Sequence, residues 1–320
     1  MTDVSTIYYY GQFSRPGDCE NWIANALNRN GYYCYRIDKD LVSFNDFQLR
    51  AIRDKPDACL FTKIPEVPLD AFRNFSETFR EYSGGLVLWW TFDWMNHPEV
   101  CSWYLPMAQQ SDICFQTDGY GNAEVYRNLR INRYELHQAA DVQHDIPKEI
   151  TPEDVERFVA NVSFAGSLYT DRRREINKRL YAMECDDYKY YGNQALRSGG
   201  GKEIWGQDFA KMCYLSKIVI GDNHTNDVAG YWSDRVYLTL GCGGFFLTSY
   251  VPGLEKKFIN HGHLVWYNDL DEMEELINYY LPREAERKVI AKNGYEFVRT
   301  NHTYDNRIQE FTNVIKEYQR

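Results

Sequence analysis

Residues 233–258 read SDRVYLTLGCGGFFLTSYVPGLEKKF. The run DRVYLTLG predicts a helix, and Gly241, Gly243 and Gly244 supply its stop. GFFLTS then predicts a short buried strand, and VPGLE turns the chain just past that strand's carboxyl end. Helix, glycine, buried strand and turn make up the repeating unit of a parallel α/β sheet, which binds ligands in the crevice beyond the carboxyl ends of its strands. Glu255 falls at that end, at the start of the next helix. An acid there suits a ribose diol, and it equally suits the positive end of a helix dipole; the local pattern leaves both readings open.

Working outward, the same rhythm fills the chain. TIYYYG, YYCYRID, DACLFTK, GLVLWWTFD and DICFQT read as strands, with DCENWIANALNRNG, LDAFRNFSETFREY and PEVCSWYLPMAQQ as the helices between them. Residues 144–158, HDIPKEITPEDVERF, interrupt it with two prolines and a run of charge, and read as a linker. Beyond them the alternation resumes with NVSFAGS, DRRREINKRLYAME, YKYYG, KIVIGD, DRVYLTLGC, GFFLTS and HLVWY. The expected fold is α/β, with two Rossmann-like domains facing a cleft: residues 1–145, residues 157–303, and a last helix over 304–320.

A chain of 320 residues exceeds one ordinary core, in keeping with two domains. Its 46 acids outweigh 36 lysines and arginines, a net charge of −10 that disfavours broad binding to nucleic acid or anionic membrane. No stretch reaches the roughly 18 apolar residues of a membrane span. The amino terminus lacks a signal-peptide pattern, so the chain is read as complete and cytoplasmic. Eight scattered cysteines without a C-x-x-C pair argue against a zinc cluster or dithiol site. The 26 tyrosines, 17 phenylalanines and 8 tryptophans suit large buried contacts and pockets for sugar-like ligands.

Several motifs carry possible chemistry. Asp38-Lys-Asp40 and Asp269-Leu-Asp271 have the spacing that divalent cations use, but helix capping explains the second pair, and no metal site is expected. SFAGSLYTDRRRE ends a strand at Gly166-Ser167 and follows it within a turn by Arg172, Arg173 and Arg174, which suits a diphosphate or a solvated arginine face. A glycine run, Gly199 to Gly201, precedes Lys202 without matching a Walker loop. Arg127, Arg130 and Arg133, interleaved with tyrosines, form either a basic track or ordinary surface.

From Ser233 onward the sequence resembles the GT-B glycosyltransferases, and most closely the group of the spore protein CgeB. The resemblance rests on SDRVYLTLGCGGFFLTSYVPGLEKKF, HGHLVWYNDLDEMEELINYYL and EAERKVIAKNGYEFVRTNHTYDNRI, with VSFAGSLYTDRRREI and YLSKIVIGDN upstream. It is specific over residues 162–308 and looser before them. It implies a sugar-nucleotide domain at the carboxyl terminus, an acceptor domain at the amino terminus, and a last helix that crosses back to the first domain. Glu255 would hold the nucleotide ribose, and the amides around Gly243, Gly244 and Phe245 would approach the donor. Gly166, Arg173 and Lys202 would lie at the diphosphate. The group's helix usually begins R-x-F-E; here Leu238 stands where the first of two glutamates is expected.

The resemblance implies transfer of a sugar from a nucleoside-diphosphate donor, a UDP-sugar for preference, to an acceptor hydroxyl, with no cofactor. An inverting reaction needs a base, and Asp93, past a strand end with His97 four residues on, is the leading candidate, with Asp18 second. Two alternatives are a phage-type glycosyltransferase acting on a hydroxymethylated DNA base and a non-catalytic sugar-nucleotide-binding or structural protein.

Overall fold

The computed structural model describes residues 4–14, 17–93, 98–119, 123–183, 187–192 and 201–320, without the side chains of 98–101. The chain divides into two compact units. Unit 1 comprises Met1–Gln138, Val228–Tyr231 and Tyr304–Arg320; unit 2 comprises Ala139–Asp227 and Trp232–Thr303.

Unit 1 runs β1 (Thr6–Gly11), α1 (Cys19–Arg29), β2 (Tyr33–Asp38), α2 (Phe44–Asp54), β3 (Ala58–Phe61), α3 (Leu69–Ser83), β4 (Leu86–Thr91), α4 (Pro98–Gln109), β5 (Ile113–Gln116), α5 (Ala123–Asn128) and β6 (Arg133–Glu135). Its six strands lie in the order β2-β1-β3-β4-β5-β6, all parallel. The central strands β3 and β5 are buried on both faces because helices cover both, which is why ACLF and ICFQ contain no exposed position, whereas the edge strand β2 is largely exposed. One face carries a dense aromatic cluster around Phe47, Phe61, Phe72, Phe75 and Trp89.

Unit 2 contains α6 (Pro152–Phe158), β7 (Ala160–Ala165), α7 (Asp171–Ala182), β8 (Tyr188–Tyr191), α8 (Gly206–Leu215), β9 (Ser216–Gly221), α9 (Arg235–Gly241), β10 (Phe246–Ser249), β11 (Val265–Tyr267), α10 (Leu270–Tyr280) and α11 (Glu284–Asn301). Its five parallel strands lie in the order β11-β10-β9-β7-β8. The last helix, α12 (Tyr304–Tyr318), belongs to unit 1 and packs against α1.

In both sheets the first strand lies between the second and the third. The order therefore reverses between β1 and β3 in one unit and between β7 and β9 in the other. Those two reversals are where a doubly wound sheet opens a crevice at its carboxyl edge.

Residues 152–158, read as part of a linker, instead form α6. Thr151 and Asp154 make a reciprocal capping box, and Lys211 Nζ on α8 holds the Asp154 carboxylate at 2.8 Å. The charge run that suggested a solvated connection supplies the cap. The preceding segment is anchored too. His144 is 2% exposed, its Nδ1 accepts from the amide of Asp141 at 3.1 Å, and Arg299 donates to the carbonyls of Asp141 and His144 at 3.2 Å each.

Burial, together with the Arg299 charge, pushes the His144 ring down to about 4 from an ordinary 6.5. A folded-state value below the unfolded one means that the unfolded chain takes up the proton first. Stability contributed by the neutral ring is therefore present above pH 6.5 and lost as pH falls toward 4. The expected loss over that window is about 2–3 kcal/mol. Urea melts at pH 7 and pH 4.5 should show it in the native protein and not in His144→Gln; an equal loss in both removes this assignment.

Candidate functional site

At the β7/β9 reversal of unit 2, Gly166 leaves β7 with φ +152°, and a Cβ there would lie 3.0 Å from Arg235 Nη2. The positive φ favours glycine there, and that guanidinium lies across the strand end, with Nε donating to the Ala165 carbonyl at 2.8 Å. Beside it, Thr170 caps α7, so that the first turn of that helix faces the end of β9. Arg173, 3% exposed, donates from Nη2 to the Asp222 carbonyl at 2.9 Å and from Nη1 to the Ser167 carbonyl at 3.2 Å. The Asp222 side chain is fully buried, with Arg172 Nε at 3.0 Å and Arg173 Nε at 3.7 Å. Burial pushes the Asp222 carboxyl up, and the two guanidinium groups pull against that. Next along the edge, Asn223 donates to Ser249 Oγ at 3.1 Å and accepts from the Ser233 amide at 2.8 Å, tying the ends of β9 and β10 to the entry of α9.

Arg173, expected at a diphosphate, has these partners at the strand edge. The arginine lies at the reversal with its guanidinium buried and engaged with the carbonyls of Ser167 and Asp222 and with the Asp222 carboxylate, a bracing of the strand edge. Arg172 is the more accessible of the pair, with 36% of its side chain exposed. Arg174 turns back to the carbonyls of Leu168 and Tyr169 and to Asp171.

Gly243, Gly244 and Phe245, expected near the donor, lie between α9 and β10. They follow the carboxyl end of α9 and precede β10, so they lie at the amino edge of the sheet, opposite the reversal crevice. Gly243 has φ +75°, and a Cβ there would meet Ile146 at 2.9 Å; Gly244 lies against Cys213; Phe245 is buried in the unit 2 core beside Tyr280. These residues stop a helix and close a core. Leu238 is buried within α9.

Glu255 is exposed, in a three-residue 3-10 turn rather than at a helix start. Its Oε2 accepts from Tyr250 Oη and from the Gly253 amide, both at 2.9 Å. Slight desolvation raises its carboxyl, and hydrogen bonds from its own amide, Tyr250 and Gly253 outweigh that and hold it below the ordinary value. Lys202 is exposed and follows Gly201, which bridges Tyr191 at the carboxyl end of β8. Gly199 and Gly200 lie outside the described residues.

In unit 1 seven buried polar side chains lie at the corresponding carboxyl edge. Glu20, Thr62, Thr91, Gln116, Thr117, Asp118 and His137 all follow strand ends or sit beside them, each 7% exposed or less. At the β1/β3 reversal, Thr62 Oγ1 donates to Glu20 Oε1 at 3.1 Å, and Cys19 Sγ approaches Glu20 Oε2 at 3.4 Å. Gly11 leaves no room for a side chain there, since a Cβ would lie 2.8 Å from Thr62 Oγ1. Burial pushes the Glu20 carboxyl up. The next residue, Lys63, holds Asp93 Oδ2 at 3.3 Å, with the Asp93 side chain 34% exposed. Asp18 occupies the cap position of α1 without a side-chain capping bond. His97 lies outside the described residues.

Glu20 is the residue that sequence reasoning missed. It had a signal: it precedes Ile23, Ala24 and Leu27, all fully buried, by three, four and seven positions, which puts a carboxylate on the apolar face of α1.

Among the described residues no group of three or more His, Cys, Asp or Glu side chains is arranged to hold a metal ion. Asp269 Oδ1 accepts from the amides of Asp271 and Glu272 as the cap of α10, and Asp271 pairs with Arg179. Asp38 Oδ1 accepts from the amide of Asp40. Cys19, Cys34, Cys59, Cys114, Cys213 and Cys242 are free thiols. Among the described residues no helix is long and apolar enough to cross a membrane.

Two doubly wound parallel sheets, each with buried polar side chains at its carboxyl edge, form the GT-B glycosyltransferase fold. The chain belongs to the glycosyl transferase-like family, whose model matches residues 153–313. Among solved structures, a glycosyltransferase from Rickettsia africae ESF-5 superposes with a TM-score of 0.71 at 10% identity, covering 100% of both chains. HepE of Anabaena, in complex with UDP-glucose, has a TM-score of 0.69 at 10% identity over 98% of this chain and 99% of its own. Sucrose-phosphate synthase from Thermosynechococcus elongatus has a TM-score of 0.67 at 10% identity over 98% of each chain. No curated protein matches the chain in sequence.

Proposed function

We propose that this protein is a glycosyltransferase of the CgeB-like group, which binds a UDP-sugar at the carboxyl edge of unit 2 and transfers the sugar to an acceptor hydroxyl held by unit 1. The observation that carries this reading is the polar edge at the β7/β9 reversal, in the part of the chain that the family model covers. UDP is the favoured nucleotide because HepE, of the same fold, was solved with UDP-glucose.

Each group has a role that its position supports. Glu255, ionised and already oriented by Tyr250 and Gly253, has its second oxygen available for the two hydroxyls of a ribose. Arg172, and Lys202 beyond the end of β8, supply positive charge for the departing diphosphate, with the Gly166 backbone between them. Asp93 is the base for the acceptor hydroxyl, with Lys63 holding its carboxylate in place. Glu20, at the unit 1 reversal, orients the acceptor; Asp18 is the second base candidate.

The test is a thermal-shift panel with UDP-, GDP- and TDP-sugars, followed by measurement of released nucleotide, since a ligand that binds only the folded state raises the melting temperature. A UDP-sugar is expected to give the largest shift and a slow release of UDP. Shifts without release would mark a binding protein, and no shift with any nucleotide would remove the assignment. Glu255→Gln is expected to weaken UDP binding about tenfold, from the loss of charged hydrogen bonds of about 1.5 kcal/mol; an unchanged dissociation constant by calorimetry assigns Glu255 to turn structure alone. A DNA acceptor has weaker support, because Arg133 lies over the Tyr126 ring with Nε and Nη2 buried, so the three arginines do not form one open track.

A further inference from the structure

The amino edge of the unit 2 sheet carries a cavity of about 550 Å³, within the usual range for small ligands. It is separated from the Asp222 edge by the length of β9, about 17 Å at ~3.3 Å per residue. Phe245 and Ser216, at the entries to β10 and β9, line it, and the rings of Tyr214 and Tyr295 supply apolar surface beside them. Four cations, Lys217, Arg287, Lys288 and Lys292, also line it, against one acid, Glu284. On a chain of net charge −10 this is a local inversion of sign.

Arg287 gives the cavity a built feature. It is 7% exposed, and its hydrogen bonds, to the carbonyls of Tyr280 and Leu281, both come from Nη1. Nε and Nη2 of this fixed guanidinium make no hydrogen bond among the described residues. Lys217 makes no ion pair among them either, and the pairs Lys288–Glu284 at 2.6 Å and Lys292–Glu296 at 3.7 Å are exposed and exchangeable.

We infer that this cavity is a second ligand site, for a phosphate monoester carried on an apolar or aromatic body. A rigid guanidinium with ammonium groups around it matches a phosphate dianion, and Tyr214, Tyr295 and Phe245 match the body. Nothing in this site depends on the nucleotide-sugar reading of the opposite edge.

The test uses the full chain with UDP present, so that the opposite edge is occupied. Titration calorimetry with phenyl phosphate is expected to give one site per chain, binding about tenfold tighter than inorganic phosphate. Lys217→Glu/Lys292→Glu, both exposed positions, is expected to weaken phenyl phosphate about tenfold or more while leaving the melting temperature and the UDP response unchanged. Tyr214→Ala is expected to weaken phenyl phosphate and not inorganic phosphate. Flotation with phosphatidic acid vesicles, against phosphatidylcholine vesicles, separates the sources: capture by the former, lost in the double variant, assigns a lipid phosphate, and binding of phenyl phosphate without capture assigns a soluble ester. If no probe binds, or if the double variant binds as well as the native protein, the inference is overturned.

Discussion

Arg173→Met should destabilise unit 2 by about 3–5 kcal/mol, the usual cost of removing one partner from a buried ion pair. The argument starts from Asp222, whose side chain is wholly buried. Its carboxylate is tolerated there because two guanidinium groups face it, and only Arg173 is buried alongside it. Methionine keeps much of the volume but leaves the Asp222 and Ser167 carbonyls without their donors and the carboxylate with Arg172 alone. The deficit should depend on pH. Burial already raises the Asp222 carboxyl, and losing Arg173 raises it further, so the variant is least impaired near pH 4 and more impaired as pH rises toward 7. Thermal melts across that range check this; a variant as stable as the native protein at pH 7, with weaker UDP binding, would instead return Arg173 to the diphosphate.

Asp93→Asn is expected to lower turnover by about 10²- to 10⁴-fold, the range for loss of a general base, with UDP-sugar binding unchanged. The substitution keeps the shape and removes the proton acceptor. Glu20→Gln separates the two carboxylates of the unit 1 edge. Glu20 is held by Thr62 in a dry position, whereas Asp93 is partly exposed and paired with Lys63, so the glutamine variant should mainly raise the Michaelis constant for the acceptor. Full turnover by Asp93→Asn, together with a collapse in Glu20→Gln, would transfer the base role to Glu20. Single-turnover release of UDP distinguishes these results.

The alternation of apolar runs and amphipathic stretches made both sheets legible, because strands covered on two faces leave nearly uninterrupted apolar sequence. β10 and the glycine stop of α9 could be read residue by residue. β6 could not, since three half-buried residues, RYE, carry neither alternation nor an apolar run. At the site, the run SFAGSLYTDRRRE could be read as a strand end followed by three arginines. It could not say which guanidinium is buried, because that depends on Asp222, some fifty residues away in sequence. The edge that Gly243 to Phe245 occupy was hidden for a related reason: a glycine cluster looks alike at either end of a strand, and only the direction of α9 decides which edge it occupies.

The division of the chain bears on its biosynthesis. Phe311 of α12 lies with its ring centre 4.8 Å from that of Phe115 and 6.3 Å from Trp90, and Tyr304 lies 6.2 Å from Trp22. These partners leave the ribosome about two hundred to nearly three hundred residues before α12 does. Unit 1 therefore stays unsealed during synthesis until unit 2 has been made, with aromatic surface open to chaperones and to its own kind. A chain stopped at residue 303 would retain every strand of both sheets and still be prone to aggregate.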